Sequence, residues 1–354
     1  MPLPDDVSPF ASRVPRAVIF GCAGAVLSDA ERRFFAEADP LGFILFARNC
    51  PAPDEIRHLT AALRECVGRN DAPILIDQEG GRVARLRPPY WRSYPAAAAL
   101  AALPDPQAGE AVRLAARLIG DDLAGLGIDV DCAPVLDLPA AGADPVIGDR
   151  AYGRDPRRVA QLGRACCEGL LAGGVLPVVK HIPGHGRARI DSHRACPRVD
   201  ASHAELSSAD YAPFRELAAM PWAMTAHIVF AAIDDGAPAT LSRRVIDEII
   251  RREIGFDGVL LSDDISMGAL DGSLAERSRA ALAAGCDVVL HCTGDLAEMD
   301  EIAGAIGPLS HVAGVRLARG EALRRRSRQP FDRHAAEVRF DELAAEAAQV
   351  ETRP

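Results

Sequence analysis

The stretch PVVKHIPGHG, residues 177–186, is an apolar run that stops at Lys180 and His181 and then breaks up around Pro183, Gly184 and Gly186. Apolar side chains at successive positions of a short run predict a strand buried on both faces, as in a parallel sheet. Three other stretches, ILIDQEGGR (74–82), AMTAHI (223–228) and LLSDD (260–264), also run apolar and end in polar or charged groups. Working outward from these, eight strands are predicted: Ala17–Gly21, Gly42–Phe46, Ile74–Gln78, Val130–Val135, Leu176–His181, Ala223–Val229, Gly258–Ser262 and Asp287–His291. Between them lie amphipathic segments predicted to be helical, including Pro53–Val67, Glu110–Leu126, Pro156–Ala172, Ala204–Ala219, Arg243–Glu253 and Leu274–Ala284. Asp54, Ser202 and Ser242 stand near helix starts as candidate caps. Eight strands, most followed by a helix, predict the α/β class and a single (β/α)8 barrel of the TIM type, with chemistry at the C-terminal strand ends. A doubly wound sheet is the alternative, but it wants a glycine-rich phosphate turn after the first strand, and Gly21-Cys22-Ala23-Gly24 matches that poorly. The whole chain, 1–354, is expected to form one barrel, with a helical tail from about residue 327 packed on its outside.

A formal net charge of −10 argues against nucleic acid or an anionic membrane surface as partner. The N-terminal residues MPLPDDVSPFASRVP lack the basic start and apolar run of a signal peptide, and no stretch is long and apolar enough for a membrane span. Nine scattered cysteines without a CxxC pair, with no secretion signal, read as reduced thiols, so the expected compartment is the cytoplasm; the expected state is a monomer. Of the 40 basic residues only one, Lys180, is lysine. Arg and Lys differ in shape and hydrogen-bond geometry, so a lone lysine points to a site that accepts a compact ammonium and not a planar fork.

Three clusters carry candidate chemistry. The first joins Lys180, His181 and His185 to Asp191 and His193 on a Gly- and Pro-rich loop, where a carboxylate two residues from an imidazole can orient it for proton transfer near neutral pH. The second is Ser262-Asp263-Asp264 at a strand end. A strand-end carboxylate nucleophile with an imidazole acid/base would perform double-displacement glycoside hydrolysis. The third is Asp77-Gln78-Glu79-Gly80-Gly81-Arg82, with Arg150 a further donor; carboxylates and guanidinium groups together suit a polyhydroxylated ligand. Within this third cluster Glu79 and Arg82 are expected to pair with each other. Asp264 is expected to cap or orient, His185 to hold the loop, and His227 either to line the pocket or to be a satisfied core histidine.

Six ordered motifs extend the pattern over most of the chain: GFILFARN (42–49), LIDQEGGRVARLR (75–87), VIGDRAYGRD (146–155), KHIPGHGRARIDSH (180–193), MTAHIVF (224–230) and FDGVLLSDDISMGAL (256–270). On these the chain resembles glycoside hydrolase family 3, and within it the bacterial β-N-acetylhexosaminidases of peptidoglycan recycling. The resemblance implies Asp263 as nucleophile, His193 as general acid/base and Asp191 as its partner. It implies Asp77, Arg85, Arg150, Lys180 and His181 as residues that bind N-acetylglucosamine. It further implies a muropeptide-derived GlcNAc–anhydro-MurNAc substrate, with no cofactor and no metal. Ile182 departs from an aromatic common in that loop, and HCTGDLAE (291–298) is less typical, which leaves the leaving group open. Two rivals remain at this point. One is a metal-dependent hydrolase using His181, His185, His193 and Asp263; the other is a non-catalytic amino-sugar-binding protein.

Overall fold

The computed structural model describes residues 14–351. In chain order its strands are β1 Arg16–Gly21, β2 Pro40–Leu45, β3 Ile74–Ile76, β4 Val130–Asp131, β5 Leu176–Ile182, β6 Arg198–Val199, β7 Trp222–Thr225, β8 Val229–Phe230, β9 Val259–Asp264 and β10 Val288–His291. Eight of them close a parallel barrel in the order β1-β10-β9-β7-β5-β4-β3-β2. This is the expected (β/α)8 barrel, and all eight barrel strands overlap the stretches read from sequence, with ends that differ by one to two residues or more. β6 and β8 form a separate two-stranded parallel pair.

Side-chain parity explains why the strands show no polar alternation. Ile19, Leu75, Val178, Leu261 and Leu290 belong to one apolar cluster, whereas their neighbours Val18, Ile76, Val179, Leu260 and Val289 belong to a second one shared with the helices. Each strand therefore buries both faces, one against the other strands' inner faces and one against the helical layer.

The helices are α1 Asp29–Ala38, α2 Pro53–Val67, α3 Ala97–Ala101, α4 Gln107–Gly125, α5 Pro156–Gly173, α6 His203–Ser208, α7 Ala212–Glu216, α8 Leu274–Ala284, α9 Leu296–Ala305, α10 His311–Ser327 and α11 Arg333–Glu351, with a π-type helix over Val245–Glu253. Ser202 caps α6 in a reciprocal capping box with Glu205, and Ser242 Oγ accepts from Val245 N at the head of the π-type helix. Asp54 is not a cap: it lies inside the first turn of α2 and pairs with Arg57 across one turn. The single helix expected over 204–219 is two short ones, because the chain turns at Ala209–Tyr211 before Pro213 starts α7. α11 seats Phe340, Leu343 and Ala347 in the helical core and is tied down by Arg92–Asp341 and Arg339–Glu110 pairs. All nine cysteines are free, and no helix among the described residues is long and apolar enough to cross a membrane.

Candidate active site

The C-terminal strand ends open into a cleft of about 870 Å³ lined by residues of all three sequence clusters. Lys180 has the parity of Val178, so it points inward, and it is only 2% exposed. Its Nζ lies 2.9 Å from Asp77 Oδ1 and 2.7 Å from Glu79 Oε1. Arg85 donates to the other Asp77 oxygen at 3.0 Å, and Arg150 grips Glu79 with Nε at 2.9 Å and Nη2 at 2.8 Å. The result is an alternating chain of five charges: Arg85, Asp77, Lys180, Glu79 and Arg150. Burial opposes ionisation of both acids, but the cations win. Lys180 and Arg85 hold the Asp77 carboxyl well below the usual carboxylate range, and Lys180 and Arg150 bring Glu79 from 4.5 to about 2. The same carboxylates raise the Lys180 ammonium against the opposing effect of burial.

Glu79 is therefore not the partner of Arg82. Arg82 instead pairs with Asp149 at 2.9 Å and donates to the Pro145 and Val146 carbonyls, fixing the approach to the 3-10 turn Gly148–Arg150. Sequence proximity suggested the wrong pair; the fold supplies Arg150 from 71 positions away. Gln78 shapes the turn between these acids: its Oε1 accepts from Arg85 and Leu86 N–H, and its Nε2 donates to the Leu86 carbonyl. Gly80 and Gly81 have φ of 98° and 55°, and a Cβ on Gly80 would meet the Pro95 carbonyl at 2.7 Å, so the GG pair is a steric need. Behind the turn, buried Asp131 accepts from Gln78 N at 2.9 Å, and burial pushes its carboxyl up to about 7. The sequence reading did not single out Asp131.

Glu79 makes a prediction about acid stability. Its folded pKa lies below its unfolded value, so its contribution to stability is complete above 4.5 and is lost as pH falls toward about 2. Thermal melts should show Tm declining through that window. Glu79→Gln should have a lower Tm at neutral pH and a shallower decline below it; parallel acid profiles for the two proteins would remove Glu79 from the account.

Asp263 is the penultimate residue of β9, and its Oδ1 accepts from Asp264 N at 2.8 Å. Among the described residues no cation forms an ion pair with it. Burial would push its carboxyl up, but the imidazoles of His227 and His181, the Asp264 N–H and Lys180 hold it below the ordinary range. Asp264 caps the following turn, accepting from Ser266 N at 3.0 Å and Ser266 Oγ at 2.7 Å. His227 is fully buried with both nitrogens engaged, on Thr240 Oγ1 at 2.7 Å and the Asp264 carbonyl at 3.0 Å, so it is a satisfied core histidine.

Near the end of β5, His181 Nδ1 lies 2.7 Å from Asp137 Oδ2, and among the described residues nothing bonds its Nε2, although the ring lines the cleft. His185 is buried, with Nε2 3.1 Å from Ser192 Oγ; burial and His181 lower its pKa to about 4, so it is neutral. Asp191 Oδ1 accepts from both the backbone N–H and Nδ1 of His193, at 3.0 and 2.7 Å. The His193 side chain is 66% exposed, and its Nε2 bonds nothing among the described residues. The His193 carbonyl accepts from Gly268 N at 3.3 Å, which seats the dyad on the turn that follows Asp263 and Asp264. The structure thus brings Asp77, Arg85, Arg150, Lys180, His181, His193 and Asp263 to one cleft. No group of three or more His, Cys, Asp or Glu side chains able to hold a metal ion occurs among the described residues.

A barrel with strand-end carboxylates and a carboxylate-held imidazole in one cleft holds the groups that hydrolysis needs, a nucleophile and a proton donor. The family model for the N-terminal domain of glycosyl hydrolase family 3 matches residues 25–316. The chain belongs to glycoside hydrolase family 3 and is a glycoside hydrolase. A β-hexosaminidase of Alkalilimnicola ehrlichii is 41% identical over 282 residues, covering 78% of this chain and 80% of that protein. Native NagZ from Neisseria gonorrhoeae matches with a TM-score of 0.82 at 34% identity, over 94% of this chain and 98% of that one. The same protein in complex with N-trifluoroacetyl-D-glucosamine matches at 33% identity, with the same TM-score and coverage.

Proposed function

We propose that the enzyme is a retaining exo-β-N-acetylglucosaminidase that removes terminal, non-reducing β-linked N-acetylglucosamine through a glycosyl-enzyme on Asp263. The observation that carries the reading is that one cleft holds both an ionised strand-end carboxylate and an imidazole with its Nδ1 fixed on a carboxylate, the former free of any ion pair and the latter with Nε2 unbound among the described residues. Relatives named β-hexosaminidase and a structural neighbour that binds an N-acylated glucosamine support the sugar assignment. Muropeptide-derived GlcNAc–anhydro-MurNAc is the proposed substrate, in the cytoplasm, with the whole chain acting as one monomeric catalytic barrel that needs no metal or cofactor.

In this mechanism Asp77, Arg85, Arg150, Lys180 and His181 hold the sugar. Each carboxylate oxygen of Asp77 bonds one cation and keeps a lone pair for a sugar hydroxyl. His193, protonated at Nε2, donates that proton to the glycosidic oxygen as Asp263 attacks the anomeric carbon; the C–O bond to the leaving group breaks and an ester forms. Neutral His193 then takes a proton from water, whose oxygen attacks the same carbon and releases Asp263, giving net retention. Asp191 keeps the proton on Nδ1 and so presents Nε2 for both transfers.

The test is hydrolysis of a chromogenic β-N-acetylglucosaminide with EDTA present. Wild type should turn over, and His193→Ala should lose on the order of 10²- to 10⁴-fold in kcat. The loss should be smallest with aryl leaving groups of low pKa, which need no protonation. A wild type that binds N-acetylglucosamine without cleaving the glycoside would overturn the enzyme assignment in favour of a binding protein. Loss of activity on EDTA treatment would restore the metal reading.

A further inference from the structure

Asp137 lies beyond β4 in the stretch Pro134-Val135-Leu136-Asp137, where a single acid before a turn gives no signal in the sequence. It is 1% exposed, yet it takes three hydrogen bonds from the end of β5 and the loop that follows it. Oδ1 accepts from the backbone N–H of His181 at 3.3 Å and of His185 at 2.6 Å; Oδ2 faces His181 Nδ1 at 2.7 Å. Burial opposes its charge, but the two histidines hold its carboxyl below the ordinary range. An ionised carboxylate only accepts, so the atom it faces must carry the proton. His185 passes the connection on to Ser192, which sits between Asp191 and His193. Loop and strand end are in close contact here: a Cβ on Gly186 would fall 2.0 Å from the Leu138 carbonyl.

We infer that Asp137 is a positioning residue: it fixes the proton of His181 on Nδ1, turns Nε2 to the sugar, and clamps the base of the loop that carries Asp191 and His193. The inference rests on the glycosidase reading for its kinetic consequences, but not for the tautomer itself. With Nδ1–H committed to Asp137, neutral His181 offers a lone pair at Nε2 to a sugar hydroxyl. Asn at position 137 separates the two jobs. Its Oδ1 still accepts the two backbone N–H groups, while its NH2 faces His181 Nδ1 and drives the proton to Nε2.

Three measurements test this. In ¹⁵N NMR of the wild type at a pH where its histidines are neutral, the His181 resonances, assigned by their loss in His181→Ala, should show a protonated Nδ1 and an unprotonated Nε2. The reverse pattern overturns the inference without any variant at 137. Asp137→Asn should unfold cooperatively, show the swapped tautomer and lose on the order of 10- to 100-fold in kcat/KM. In the His181→Ala background the same change should cost almost nothing, because its partner is gone. An undiminished loss in that background would show that Asp137 does not act through His181, and full activity of Asp137→Asn would show that the tautomer does not matter. A wild type with the expected tautomer but no turnover would sink the glycosidase reading and leave the tautomer assignment standing.

Discussion

Asp263→Ala is expected to lose on the order of 10⁴-fold or more in kcat on a β-N-acetylglucosaminide, the largest catalytic effect of any substitution in the cleft. The reason is covalent: without the carboxylate no glycosyl-enzyme can form, and water must attack directly. The competing acid is its neighbour. Asp264 has its two oxygens on Ser266 and its backbone carbonyl on His227, so it is committed to the turn. Asp264→Asn should therefore act mainly through that turn and cost far less in kcat. Trapping an adduct with a 2-fluoro glycosyl donor, followed by peptide mass mapping, should label Asp263. Retention of full activity by Asp263→Ala, or a label on Asp264, would overturn the nucleophile assignment. Among the described residues Asp263 makes one backbone hydrogen bond and no ion pair, so Asp263→Asn should melt close to wild type. Activity and stability are thus separable at this position, as expected for a charge kept for chemistry.

What could be read from the sequence follows from how local each feature is. Barrel strands bury both faces, so Ile74–Ile76 or Val259–Leu261 show themselves as short apolar runs with no partner information needed. The polar residues that end those runs are placed by the fold class alone, which is why Asp77, Lys180, His181 and Asp263 could be named before their surroundings were known. Pairing is different, because it depends on distant chain. Glu79 looked like the partner of Arg82 three positions on, whereas the turn held by Gln78 sends it to Lys180 and Arg150. Asp137 and Asp131 were invisible for the same reason: a lone acid near a strand end has no local signature, and its role comes from the β4–β5 neighbourhood and the loop folded over it. Arg243–Glu253 has the apolar spacing of an ordinary helix, and its π-type winding is a tertiary choice that the spacing does not encode.

Lys180→Met is expected to destabilise the folded protein by about 3–5 kcal/mol, because removing one partner of a buried ion cluster leaves the others uncompensated. Among the described residues Lys180 is the only cation that touches both Asp77 and Glu79. Without it each acid keeps one guanidinium, and both carboxyl pKa values must rise. The acid limb of the stability curve should accordingly begin at higher pH in the variant than in wild type, which a charge-independent packing defect would not produce. Lys180→Arg is the sharper test. It keeps the charge, but a planar fork must fit where a single Nζ now sits within 3 Å of two carboxylates, in a cleft that Met224 and Leu290 also line. Overpacking there should cost about 1–3 kcal/mol in denaturant unfolding. Displacing Asp77 from its sugar-facing position should also lower kcat/KM by roughly 10- to 100-fold. This chain uses arginine at every other basic position, so a tolerant site would have no reason to hold lysine. A Lys180→Arg enzyme with wild-type stability and kcat/KM would show that the lone lysine is an accident of composition. The expected result makes it a steric requirement of the five-charge cluster that orients the sugar-binding wall.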